Sequence, residues 1–90
     1  MMSYDKIYEL IEDIINAADE GYSNIIQDDA IDLLEFVEEI AKKDKTLNLD
    51  IMREGIEDII NAADEREWNC VIDAAIEIKE ILERRKKECS

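Results

Sequence analysis

The decapeptide IEDIINAADE occurs twice, as Ile11–Glu20 and as Ile56–Glu65, unchanged and at an offset of 45 residues. In a 90-residue chain this offset marks two units, about 1–45 and 46–90, within a single domain. Inside the decapeptide, Ile11, Ile14 and Ala18 follow a spacing of three and four, one face of an α-helix. Working outward, Ile7 extends that face in the first unit. Met52, Ile56, Ile59 and Ala63 make the same stripe in the second.

The latter half of each unit carries a further stripe. In the first it is Ile26, Ala30, Leu33, Val37 and Ile40; in the second it is Val71, Ala75, Ile78 and Leu82. Two glycines and no proline suit long helices. Ser3 is placed to cap the first helix and Gly21 to end it in the left-handed conformation. Asn24, with Gln27 in the capping-box position, reads as the cap of the second helix, and Asn69 as that of the fourth. Asn48 or Asp50 can cap the third. Asp44–Asn48 connects the units, and Arg66, Glu67 and Trp68 form the second hairpin loop. Lys42, Lys43 and Lys45, and later Arg84–Lys87, sit where cations complement exposed helix carbonyls. The last two or three residues are expected to fray. These signals predict an all-α protein: an up-down four-helix bundle of two tandem helical hairpins about a pseudo-two-fold axis. An open solenoid is the other arrangement the pattern allows, although two units are few for one.

Charge and composition narrow the function classes. The chain has 25 acids and 11 bases, a formal net charge of −14. Its 47% hydrophobic content separates it from disordered acidic tails. Such a surface repels nucleic-acid backbones and anionic membranes and attracts basic proteins. No apolar run reaches the roughly 18–20 residues of a membrane span. Met1–Leu10 lacks the apolar core of a signal peptide, with Asp5 and Glu9 in its place. A cytoplasmic protein with free thiols at Cys70 and Cys89 is the expectation. Cys70 aligns with Ile25 and reads as a small core or boundary residue, and Cys89 as a tail thiol. There is no histidine, hence no Ser–His or Cys–His pair and no histidine-containing di-iron helix. Neither a glycine-rich phosphate loop nor a calcium loop is present. The sequence therefore predicts no catalysis, no cofactor and no bound metal.

The outward residues are the informative ones. Positions two beyond the core residues turn about 200° around the helix, toward water. On the first helix they are Glu9, Asp13, Asn16 and Glu20; on the third, Glu54, Asp58, Asn61 and Glu65 repeat the same four types. On the second they are Asp28, Asp32, Glu35 and Glu39, and on the fourth Asp73, Glu77, Glu80 and Arg84. Outside the decapeptide the units agree at only 2 of 10 positions before it and 7 of 25 after it, so the identity is local. A constraint on the decapeptide's surface, or local gene conversion, accounts for that contrast. Residues 1–45 hold 13 acids against 4 bases, and three of those bases are Lys42, Lys43 and Lys45. Like charges four apart each destabilise a helix by about 0.2–0.5 kcal/mol. A row such as Asp28, Asp32, Glu35 and Glu39 thus works against its own helix, where glutamate–lysine alternation would not.

Aromatic residues add anchors. Tyr22 and Trp68 fall in the two hairpin loops, at one end of the bundle. Trp68 reads as a plug of that end. Tyr8 reads as an interface residue, because its counterpart in the second unit is Arg53, which avoids burial. The expected surface for a partner is therefore Tyr8, Tyr22, Asn16 and the acids Glu9, Asp13, Glu20, Asp28, Asp32, Glu35 and Glu39. Acids beside large aromatics suit a basic protein such as a nuclease or other nucleic-acid-binding factor. Small inhibitors of the immunity, antitoxin and phage anti-defence kinds share this size and charge, a likeness of type only. The alternative is a self-associating scaffold, a homodimer rather than a monomer, using apolar surface left by Tyr4, Tyr8 and Phe36.

Overall fold

The structure, a computed structural model, describes residues 4–45 and 47–89, with side chains described as far as Arg84. Four helices follow one another: α1 Tyr4–Glu20, α2 Ser23–Lys43, α3 Leu49–Asp64 and α4 Trp68–Cys89. Each packs on the next, and α4 packs back on α1. The result is the all-α four-helix bundle that the stripe spacing predicts. The return of α4 to α1 closes the ring and sets aside the open solenoid. At about 1.5 Å per residue the 22 residues of α4 span about 33 Å, close to the 36 Å long axis of the molecule.

Every side chain of the four stripes is buried, and among the described residues no polar or charged side chain is. One hydrophobic cluster draws on all four helices. Burial is alike at positions 45 apart: Ile7 and Met52, Ile11 and Ile56, Leu33 and Ile78, Val37 and Leu82. Leu10, Ala17 and Ala62 are buried beyond the stripes, as is Leu47 in the connector. Leu47 anchors a segment that looks wholly polar, and its N–H donates to the Asp44 carbonyl at 3.3 Å. Asn48 caps α3, its Oδ1 accepting the Ile51 N–H at 3.2 Å. The Ser3 cap lies outside the described residues.

Both hairpin turns are one device. The Tyr22 N–H donates to Ala17 O at 2.9 Å and the Gly21 N–H to Ala18 O at 3.2 Å. The Glu67 N–H donates to Ala62 O at 2.8 Å and the Arg66 N–H to Ala63 O at 3.2 Å. These are the paired bonds of a Schellman motif around a left-handed residue, Gly21 at φ 78° and Arg66 at φ 59°. The residue that completes each motif also opens the next helix: Tyr22 O accepts from Ile26 N–H, and Glu67 O from Val71 N–H. So α2 and α4 begin at Ser23 and Trp68. Asn24 and Asn69, expected as caps, instead lie inside the first turns, because the turn's backbone bonds set the helix start. No side chain caps α2 at Tyr22.

Trp68 consequently belongs to α4 rather than to a loop. Its indole lies 3.7–3.8 Å from where a Cβ on Gly21 would stand. It is half-buried against the core and covers the end of the bundle where the two turns meet, as the plug reading requires. At the other end α4 continues to Cys89, so the helix reaches past the point where fraying was expected. The Cys89 side chain and Ser90 lie outside the described residues.

The left-handed conformation at Arg66 has a stability consequence. For an L-residue it is unfavourable by about 1–2 kcal/mol, part of which glycine returns through its freer unfolded chain. Arg66→Gly is expected to stabilise the fold by about 0.5–1 kcal/mol, and Gly21→Ala to destabilise it by about 1 kcal/mol. Urea midpoints at unchanged slope would read both.

Candidate functional site

Among the described residues, two of the four interhelical seams carry paired charges. Between α4 and α1, Lys79 Nζ lies 3.2 Å from Glu12 Oε1; between α3 and α2, Arg53 Nη2 lies 2.7 Å from Glu38 Oε2. Such surface pairs are each worth about 0–1 kcal/mol. Tyr8, the counterpart of Arg53, belongs to the α1–α4 seam. It is half-buried against the core, and burial pushes its phenol up, with the Glu83 carboxylate adding to the shift. Glu83 is in turn the counterpart of Glu38. Tyr8 and Arg53 thus occupy matching places beside matching glutamates. The arginine stays at the surface through its ion pair, whereas the tyrosine packs its ring. Tyr4 and Phe36 are likewise half-buried against the core.

The remaining residues singled out from the sequence are exposed: Glu9, Asp13, Asn16, Glu20, Tyr22, Asp28, Asp32, Glu35 and Glu39. Among the described residues, only Glu39 of these acids is in an ion pair, with Lys42 at 3.3 Å. Beside these rows, half-buried on α2, stands Asp29. Its carboxyl is pushed above the ordinary range, first by burial, then by Asp13 from α1 and by Asp32 and Asp28 from its own helix. Asp29 belongs to neither the core stripe nor the outward row, yet its place in the sequence carries the signal. It stands three after Ile26 and four before Leu33, on the flank of the stripe.

The α3–α4 seam has a matching rim but a different interior. Glu54, Asp58, Asn61, Glu65, Asp73 and Glu77 are exposed along it. In place of Leu10 stands Gly55, and in place of Asp29 stands Ala74. A groove opens there, lined by Gly55, Ala74 and Ile78 between Ile51 and Ile81, with Asp58 and Glu77 at its edges. It continues toward the hairpin turn past Ala62 and Glu65. A Cβ on Gly55 would stand 3.2–3.3 Å from the Ile78 side chain, so Ile78 rests on bare helix backbone.

Cys70 is exposed, contrary to the boundary position expected from its alignment with Ile25, which is itself 47% exposed. Cys70 and Ile25 each lie in a first helical turn, about 100° round the helix from the buried Val71 and Ile26. The Cys70 thiol donates to Glu67 Oε2 at 3.4 Å, and that bond, with burial and further carboxylates, raises its pKa. A thiol held protonated is a poor nucleophile. Among the described residues no three cysteine, aspartate or glutamate side chains converge in metal-binding geometry. None of the described helices is long and apolar enough to cross a membrane. Comparison with protein-family models, with curated proteins and with solved structures finds no match to this chain.

Asp29 gives a signed pH prediction. Its folded pKa lies above its unfolded value, so the folded state holds the proton more readily. Its ionisation lowers stability at neutral pH, and this loss disappears as pH falls through the folded pKa to below the unfolded one. Asp29→Ala, the residue type at position 74, is expected to raise stability at pH 7 by on the order of 0.5 kcal/mol. The advantage should shrink steadily in urea melts run from pH 7 to pH 3.5.

Proposed function

We propose that this protein is a non-catalytic acidic binding module. It acts as a small inhibitor of the immunity, antitoxin or phage anti-defence kind, occluding the basic surface of a nucleic-acid-acting protein in the cytoplasm. The observation that supports this reading is the exposed acid rows of α1 and α2, in which only Glu39 has an ion-pair partner among the described residues, with Asp13, Asp28 and Asp32 all acting on the half-buried Asp29. A solvated face needs charge but not a single sign. Here burial first, and neighbouring carboxylates after it, hold one carboxyl above its usual range, and a cationic partner would offset the second of these.

The mechanism is occupation of a site shaped for phosphates. One acid per 3.5 residues of helix gives about one charge per 5 Å, and two rows side by side about one per 2.6 Å. Duplex DNA carries about one per 1.7 Å. The surface is thus a protein interface with phosphate-like charge rather than a faithful copy of a duplex. Tyr22, 53% exposed at the turn beside Glu20, supplies an aromatic anchor at the end of the α1 row. Self-association is disfavoured by a net charge of −14 on each copy and by the packing of Tyr4, Tyr8 and Phe36 onto the core.

Affinity capture from host lysate tests the reading. It compares the native chain with the Asp28→Asn, Asp32→Asn, Glu35→Gln variant at about 50 and 300 mM salt, with and without added duplex DNA. The expected partner is basic, is lost at the higher salt or with the variant, and is displaced by DNA. Capture indifferent to salt and to these substitutions would sink the mechanism. Independently, added salt should raise the melting temperature by screening self-repulsion, and a flat or falling dependence would mean the acid rows are not in mutual strain.

A further inference from the structure

We infer that the groove between α3 and α4 is a docking site for a basic amphipathic helix of the partner protein, an inference that rests on the binding-module reading above. The two hairpins present equivalent acid rims, Glu9, Asp13 and Asp32 on one and Glu54, Asp58 and Glu77 on the other. Only in the second do small residues replace the side chains at the seam. Leu10 becomes Gly55 and Asp29 becomes Ala74, leaving the Ile78 side chain over bare backbone at the floor. A mid-helix glycine is unfavourable by about 1 kcal/mol against alanine, so Gly55 is a local loss to α3 that lets Ile78 settle against its backbone and leaves the seam shallow above it. Ile51, 48% exposed, and Ile81 stand at the mouth of that space.

An apolar floor between two acidic edges selects one kind of occupant. A helix that lays a face of small and aliphatic side chains on Gly55 and Ala74, between Ile51 and Ile81, must cross the edges formed by Asp58 and Glu77. Lysine or arginine flanking that face would meet carboxylates that, among the described residues, have no ion-pair partner. An acidic or phosphate-bearing ligand meets repulsion from both edges, as does a second copy of this chain. From Ile51 to Glu65 the seam runs about 21 Å, room for about four helical turns. This is the helix-in-groove mode of recognition, with affinity from the floor and selection from the rim.

A fluorescein-labelled 16-residue amphipathic peptide of lysine, leucine and alanine serves as the probe, beside a scrambled peptide of the same composition. Binding is read by anisotropy and mapped by amide chemical shifts. The amphipathic peptide is expected to bind at least tenfold tighter, with shifts centred on Gly55, Ala74 and Ile78. Ala74→Asp, which restores the residue type of position 29, should weaken it at least fivefold while adding a negative charge. Equal binding of the two peptides, or unchanged or tighter binding to Ala74→Asp, would reduce the groove to plain charge attraction and overturn the inference. Shifts confined to α1 and α2 would overturn the groove and leave the acidic module standing, whereas no binding of either peptide at low salt would remove both. Should Ala74→Asp misfold, Asp58→Asn with Glu77→Gln alters only exposed residues; unaltered affinity for the amphipathic peptide would equally overturn the groove.

Discussion

Burial of the isoleucine-rich stripes against one another is what permits everything outside them. Ile7, Ile11, Ile14, Ile56 and Ile59 are fully enclosed, with Leu33, Ile78 and Leu82 facing them from α2 and α4. Each such side chain contributes about 1.5–3 kcal/mol on leaving water. A like-charged pair on a helix subtracts about 0.2–0.5 kcal/mol. One buried isoleucine therefore offsets several repulsive pairs, and a core whose fully buried residues, among those described, are all apolar can support a surface with 25 acids against 11 bases. Closure of the ring by α4 on α1 makes this possible in so short a chain, because each stripe then has neighbours on both sides.

The turns hold the stripes in register with little help from side chains. After each copy of the decapeptide, two backbone bonds around a left-handed residue finish one helix, and the next begins within two or three residues. Glycine fits that conformation at position 21; arginine is forced into it at position 66 by the same pair of bonds. Trp68, at the head of α4, covers Gly21 and so ties the two turns together at one end. Leu47 and the Asn48 cap secure the connector at the other.

On that frame the two hairpins are built alike at the rim and differently at the seam. The first places Leu10, Asp29 and Phe36 where the second has Gly55, Ala74 and Ile81. The first seam is consequently crowded with carboxylates, and the second is grooved. The other pair of seams shows the same economy: Tyr8 and Arg53 hold matching places beside Glu83 and Glu38, one by packing and one by an ion pair. The surface is thus divided into a charged patch on one hairpin and an acid-rimmed groove on the other.

The sequence by itself determined the helices, the stripes, the closing glycine at position 21 and the excess of acids. Each of these depends on residues a few positions apart along one helix, where a period of 3.6 is legible. It also marked most of the exposed acids, because their types recur at the 45-residue offset. The tertiary structure alone decided where those acids face. Whether Asp13 acts on Asp29, or Ile78 packs on the bare backbone of Gly55, depends on which helix lies alongside and how its flank is filled. The helix starts at Ser23 and Trp68 belong to the same class. Asparagine is a good cap in isolation, but backbone bonds closing a two-residue turn outrank one side-chain bond. Relations between helices are set by packing, and packing is not written in the spacing of any single one.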